Sequence, residues 1–128
     1  RSHLKATGTW DNTAIVVTSD FARTITPNDN DGSDHAWGGN YFMLGGGVKG
    51  GRIRGKYPDD ITLAGSLNIG RGRVIPTTSW DSIFNAVVEW TGVDGDADLD
   101  YCLPNRNSAA DPAGGFPLYS KDDLFTPE

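Results

Sequence analysis

The stretch Ala14-Ile15-Val16-Val17-Thr18 constrains the fold more than any other part of the chain, because an apolar run without polar interruption reads as a strand covered on both faces. It predicts a strand over 13–18. The run closes on Ser19 and Asp20, and ligands of open α/β sheets gather in the crevice beyond the carboxyl ends of strands, so chemistry is expected there. A strand of this kind also needs neighbours on both edges. Leu4 to Asn12 cannot supply one, since it reads as the tail of a helix that Gly8 ends in the left-handed conformation before Trp10 restarts the chain. Either later segments pair with the strand, or the chain is a portion of a larger sheet protein.

Glycine sets the second constraint, with 17 residues of 128, most of them between Gly32 and Gly72. Such density buries little side chain per residue, so the middle of the chain is expected as loops and hairpins leaning on something else. A length of 128 residues with 37% apolar content is about one domain, which gives a single-domain reading over 1–128. The net charge of -6 offers no basic face to phosphate backbones or anionic lipid, so no nucleic acid and no membrane partner is expected. Apolar runs fall well short of the roughly 20 residues of a membrane span, and the N-terminus has no signal-type apolar core. A lone Cys102 excludes an internal disulfide framework and a thiolate metal cluster.

Several local elements are legible. Thr26-Pro27-Asn28-Asp29-Asn30-Asp31-Gly32-Ser33 is dense turn chemistry and reads as an exposed loop. Tyr41 to Leu44 and Arg52 to Arg54 read as two strands of a hairpin across Gly45 to Gly51, with Ile53 inward. Val74 and Ile75 form another short extended piece before Pro76. The clearest element is a helix capped by Thr78 or Ser79, with Asp81 in the first turn and Gly92 after the last. Trp80, Ile83, Phe84, Val87 and Val88 recur at helical spacing and define its expected buried stripe. Leu99 to Leu103 reads as a short turn, Pro104 to Pro117 as loop, and Leu124-Phe125 as apolar enough to dock back on the body.

Most motif matches fail on context. Gly45-x-Gly47-x-x-Gly50 spells the dinucleotide fingerprint, yet the chain continues extended where a helix must open toward the pyrophosphate. Gly50 to Lys56 approaches a phosphate loop, but Tyr57 stands where Ser or Thr must hold magnesium. The acidic loop around Gly32 does not align with a calcium hand, because Pro27 and Gly38 fall on ligand positions. Asp94, Asp96, Asp98 and Asp100 alternate without a matching cage and read as a solvated turn. Ser19 lacks the elbow of a serine nucleophile.

Asp20, Arg23, Asp34 and His35 are harder to set aside. A divalent metal such as zinc, calcium or magnesium wants carboxylate oxygens and a neutral imidazole, and Asp20, Asp34 and His35 offer both, with Arg23 presenting a bidentate fork to a small anionic ester substrate. An equally good reading is structural: Asp20 caps the turn, Arg23 pairs with it, and His35 bonds to backbone in a tight loop.

The blocks Val-Val-Thr-Ser-Asp-Phe-Ala-Arg-Thr, Gly-Ser-Asp-His-Ala-Trp-Gly-Gly-Asn, Gly-Gly-x-Val-Lys-Gly-Gly and Gly-Arg-Gly-Arg-Val-Ile-Pro-Thr-Thr-Ser-Trp-Asp resemble, from about Leu4 to Phe125, the C-terminal part of sulfatase-like bacterial exported proteins of the alkaline phosphatase superfamily. The resemblance implies an α/β fold, a partial three-layer sheet with a Gly-rich β-hairpin and one amphipathic helix, and a periplasmic or extracellular location. It also implies metal-dependent hydrolysis of a phosphate or sulfate ester, with Asp20 and His35 as ligands. Phe21 replaces the histidine that the superfamily places after the aspartate, and the nucleophile belongs to an N-terminal half that this chain lacks. No turnover is then expected from the chain alone. The rival expectation is a non-catalytic extracellular binding or assembly module, with Trp10, Trp37, Tyr41, Phe42 and the glycine hairpin as a partner surface and with self-association as one outcome.

Overall fold

The computed structural model describes residues 1–107, 116 and 118–127. Among them, helices combine with small sheets in the order α1 (Ser2–Ala6), β1 (Ala14–Val17), β2 (Ala22–Pro27), β3 (Ser33–Ala36), β4 (Phe42–Gly45), α2 (Trp80–Trp90), α3 (Asp96–Cys102) and α4 (Lys121–Leu124). This is an α/β mixture. The expected broad sheet is replaced, among the described residues, by two two-stranded sheets, β1 with β4 and β2 with β3. The chain divides into two compact units, one built from Arg1–Val16, Met43–Ile53 and the described residues from Thr78 on, the other from Val17–Phe42 and Arg54–Thr77.

The first unit is organised by α2. Ser79 caps it by accepting from the Ser82 amide at 3.0 Å, Asp81 sits in the first turn, and Gly92 takes a φ of 98° beyond the last. These are the signals that the sequence displays. The buried stripe differs from the expected one, because the most covered residues of α2 are Ser82, Asn85 and Ala86. Ala86 meets Leu124 and Phe125 in the core, and Ile83, Val87 and Trp90 pack around them. The C-terminal residues dock as expected: Phe125 is 2% exposed and stacks on Trp90 with ring centroids 4.7 Å apart.

The partner of the glycine-rich turn is the C-terminal segment and not Arg52 to Arg54. The Lys49 amide donates to the Leu124 carbonyl and the Thr126 amide to the Gly47 carbonyl, each at 2.8 Å, and Val48 bridges to Phe125. Ile53, expected inward, is 93% exposed. β1 departs from expectation as well, since Ile15 and Val17 are about two-fifths exposed and only the alternate residues are covered. Gly8 behaves as read, with a φ of 69° just past α1.

Polar burial holds α3 to α2. The Arg106 guanidinium donates to Asn85 Oδ1 at 3.1 Å, to Asp96 at 2.7 Å and to Asp100. Its side chain is 7% exposed. The acidic alternation read as a solvated turn is therefore a short helix that presents Asp96 and Asp100, four residues apart, to one buried cation. Those hydrogen bonds, Asp100 first and Asp96 second, hold the Arg106 pKa above its ordinary value.

In the second unit β2 and β3 run antiparallel, with Ala22 opposite Ala36 and Arg23 opposite His35, and a bulge before Pro27 meets Ser33. Asn28 builds the turn between them, its Oδ1 accepting from the Asn30 and Gly32 amides at 3.0 Å each. The segment around Gly72 lies against β2, with the Ile25 amide donating to the Gly72 carbonyl at 3.0 Å. Gly72 has a φ of 71°, and a Cβ there would stand 2.5 Å from the Thr26 amide nitrogen. Only glycine fits so close a backbone approach.

Arg106→Leu is expected to cost about 1–3 kcal/mol, because it leaves the buried Asn85 oxygen without its donor. Asp96→Asn should cost less than about 1 kcal/mol, since that carboxylate is 92% exposed and remains solvated without its partner. Urea unfolding of the two variants measures the difference.

Candidate functional site

The residues singled out from the sequence gather on the β2–β3 hairpin, and strand geometry sorts them. Successive side chains of a strand point to opposite faces, so neighbours in sequence become strangers in space. Ala22, Thr24, Asp34 and Ala36 share the covered face. Thr24 and Ala36 are buried there, at 7% and 3% exposure. Phe21, Arg23 and His35 fall on the other face, where Arg23 and His35 are both exposed.

On the covered face, Thr24 Oγ1 accepts from the Asp34 amide at 3.0 Å and donates to the Thr26 carbonyl at 2.9 Å. Each oxygen of the Asp34 carboxylate has a protein donor. Asn28 Nδ2 donates to one oxygen at 3.1 Å, and Arg71 donates to the other at 2.8 Å. Arg71 reaches it from a backbone with a φ of 57°, flanked by Gly70 and Gly72, which also take positive φ. The Asn28 hydrogen bond, then the Arg71 charge, lower the Asp34 pKa below its ordinary value of 3.8.

On the open face, the Phe21 and His35 rings stack with centroids 4.0 Å apart and planes 23° from parallel. The Arg23 guanidinium carbon lies 5.0 Å from the Phe21 centroid, a cation–π distance. Arg23 Nη1 donates to the Ser33 carbonyl at 2.9 Å. Trp37, two residues beyond His35, is 63% exposed. Arg23 forms no ion pair among the described residues, whereas Arg71 and Arg106 each hold a carboxylate.

Asp20 is exposed, and its Oδ1 accepts from Ser19 Oγ at 3.5 Å. No hydrogen bond or ion pair among the described residues links it to Arg23, Asp34 or His35. The structure thus brings Arg23 and His35 together and puts Asp34 behind them. Among the described residues no three of His, Cys, Asp or Glu cluster as a metal site would require. The structural reading drawn from the sequence does not describe Arg23 and His35: Arg23 bonds to a carbonyl and an aromatic face and not to Asp20, and His35 stacks on a ring. Phe21, read as the residue that breaks a ligand pair, is the platform of the open face. The signal for it is the spacing Phe21-x-Arg23 and His35-x-Trp37, the period of an exposed strand face.

Clefts of about 270 Å³ beside Lys5, Trp10 and Asp11, and of about 280 Å³ beside Lys56, Tyr57 and Asp60, contain none of these side chains. Arg23, His35 and Trp37 are exposed.

A pH test follows from Asp34. A carboxylate whose pKa is lower in the folded than in the unfolded chain contributes stability that is present above the unfolded value and is lost as pH falls through the folded one. The melting temperature of the native chain should therefore drop more steeply on acidification below its ordinary value of 3.8 than that of Asp34→Asn. Asn28→Ala should reduce the excess slope. Thermal unfolding followed between pH 2 and 6 reads both, and equal slopes in all three proteins would contradict the assignment.

Comparison with known proteins gives one family and a correction. No curated protein and no solved structure matches the chain. The likeness to sulfatase-like proteins of the alkaline phosphatase superfamily is not sustained, since the family match points elsewhere and nothing in the comparisons indicates that superfamily. The model of DUF1501, described as a protein of unknown function, matches residues 1–66, which include β1 to β4 and so the whole β2–β3 hairpin. The chain belongs to the DUF1501 family.

Proposed function

We propose that this chain works as a non-catalytic binding module and that the outer face of the β2–β3 hairpin is its binding surface. The observation that carries the reading is a guanidinium held in place without a counter-charge. Arg23 is fixed by the Ser33 carbonyl and the Phe21 ring, yet in a chain with 17 acidic residues it has no carboxylate partner among the described residues. A long side chain gives up conformational freedom when it is held this way. A cation so prepared binds an anion with less ordering cost than a free one, and preorganisation of this kind converts directly into affinity.

The adjoining rings extend the same surface. The Phe21–His35 stack offers flat area beside the charge, which suits a ligand that joins an anionic group to a ring. Open access on one side favours binding and release over chemistry, because catalysis draws on water-excluded, preorganised electrostatics. A metal-assisted ester hydrolysis at Asp20, Asp34 and His35 would first require Asp34 to leave Asn28 and Arg71 and to reach the face that carries His35.

p-Nitrophenyl phosphate separates binding from turnover, as it carries an anion and a ring and turns yellow on hydrolysis. Titrated into the ¹⁵N-labelled chain with zinc, calcium or magnesium present, it should move amide signals of residues 21–25 and 33–37 and release no p-nitrophenol. Turnover at this site, or shifts confined to other residues, would contradict the reading.

A further inference from the structure

We propose that the Arg52–Ile53 peptide bond is a processing site for an endoprotease of basic specificity, and that the cut protein stays in one piece. The site lies outside the β2–β3 hairpin and is independent of what that surface binds.

An extended segment is held by its partner through main-chain hydrogen bonds and side-chain pockets, so a scissile bond must be exposed with its backbone groups unspent. Residues 50–57 are exposed without interruption and belong to no helix or strand. Within them, Arg52 and Ile53 make no hydrogen bond, ion pair or ring contact among the described residues. Ile53 is 93% exposed, so nothing of the protein covers the residue that follows the cut. Gly51 has a φ of 70° and open space where a Cβ would stand, so the chain entering the bond can straighten at little cost. Arg54 and Gly55, by contrast, are each engaged by the protein.

Other cationic positions have their backbone tied down. Arg23 lies within β2, and the Lys49 amide donates to the Leu124 carbonyl. The Lys56 amide and carbonyl both meet the Thr77 hydroxyl. The Arg73 amide donates to Gly70 and its carbonyl accepts from Ile69, while Arg106 is buried.

Hydrolysis adds water across the bond. The water oxygen joins the Arg52 carbonyl carbon, the C–N bond breaks and the protons pass to the Ile53 nitrogen, which leaves an α-carboxylate on Arg52 and an α-ammonium on Ile53. Pieces 1–52 and 53–128 both contribute to each compact unit. In the first unit they are joined by the Lys49 amide on Leu124 and the Thr126 amide on Gly47, each at 2.8 Å. In the second, the Ile25 amide meets the Gly72 carbonyl at 3.0 Å, the Gly38 amide meets the Val74 carbonyl at 2.9 Å, and Arg71 holds Asp34 at 2.8 Å. The nick severs none of these.

Limited digestion with trypsin, whose acidic primary pocket reads a Lys or Arg side chain, tests both halves of the proposal. Intact-mass spectrometry of the first products should give pieces 1–52 and 53–128, which elute together at the native volume on gel filtration and separate in denaturant. Arg52→Gln should slow the first cut about tenfold or more, because it removes the charge that the pocket reads, whereas Arg54→Gln should leave the same bond cut first. Circular dichroism of both variants confirms that the fold persists. A first cut at any other bond, no cut, or an unchanged rate in Arg52→Gln would overturn the site, and pieces that part on the native column would overturn the nicked assembly.

Discussion

The alternation of side chains along β3 decides what this molecule presents. Ser33 to Ala36 is a strand of four residues, and its pairing with β2 turns the half-exposed Asp34 carboxylate to Asn28 and Arg71 while His35 lies on Phe21 on the other face. A shift of register by one residue would exchange the two and place a carboxylate beside Arg23. The register is held from three sides: the Asn28 turn, the Thr24 hydroxyl on the Asp34 amide, and the Gly72 carbonyl on the Ile25 amide. None of these contacts is hydrophobic. The buried residues of the second unit include Ala36, Val74 and Thr24, and the open face carries aromatic and cationic groups.

The first unit solves the opposite problem. Its core of Ala86, Leu124 and Phe125 is small, and burial of a polar cluster supplements it. Asn85 donates to Glu89 Oε1 and to the Tyr119 carbonyl, Glu89 accepts from the Lys121 amide, and Arg106, in the turn after α3, closes the set by donating to Asn85 and to Asp96 and Asp100 of α3. A buried network of this kind is favourable when every member is satisfied and costly when one is lost. It ties α2, α3 and the C-terminal helix together where apolar area alone is modest.

What was legible in the sequence follows the range of the interactions. The α2 caps are local: Ser79, Asp81 and Gly92 act within a turn of their own position, and each stands where the residues indicate. Gly8, β4 and the docking of Phe125 are likewise near-local or driven by evident apolarity. Pairings across the chain were not legible. The glycine-rich turn after β4 closes on Leu124 and Thr126, nearly eighty residues away in sequence, and leaves Ile53 outside. The role of Asp96 and Asp100 depends on Arg106, whose burial no periodicity announces. At the hairpin, Asp20, Asp34 and His35 read as a ligand set by composition, yet a strand separates the adjacent Asp34 and His35, and β3 is too polar to be recognised as a strand beforehand.

The central claim is the division of the hairpin into two faces, with Asp34 on one and the Arg23–Phe21–His35 array on the other. A two-dimensional nuclear Overhauser spectrum of the native chain tests it directly. Cross-peaks between the Phe21 and His35 ring protons, together with cross-peaks from the Asp34 β-protons to the Arg71 side chain, are the expected result. Asp34 β-proton contacts to the Phe21 ring, with the Phe21–His35 cross-peaks missing, would contradict the account.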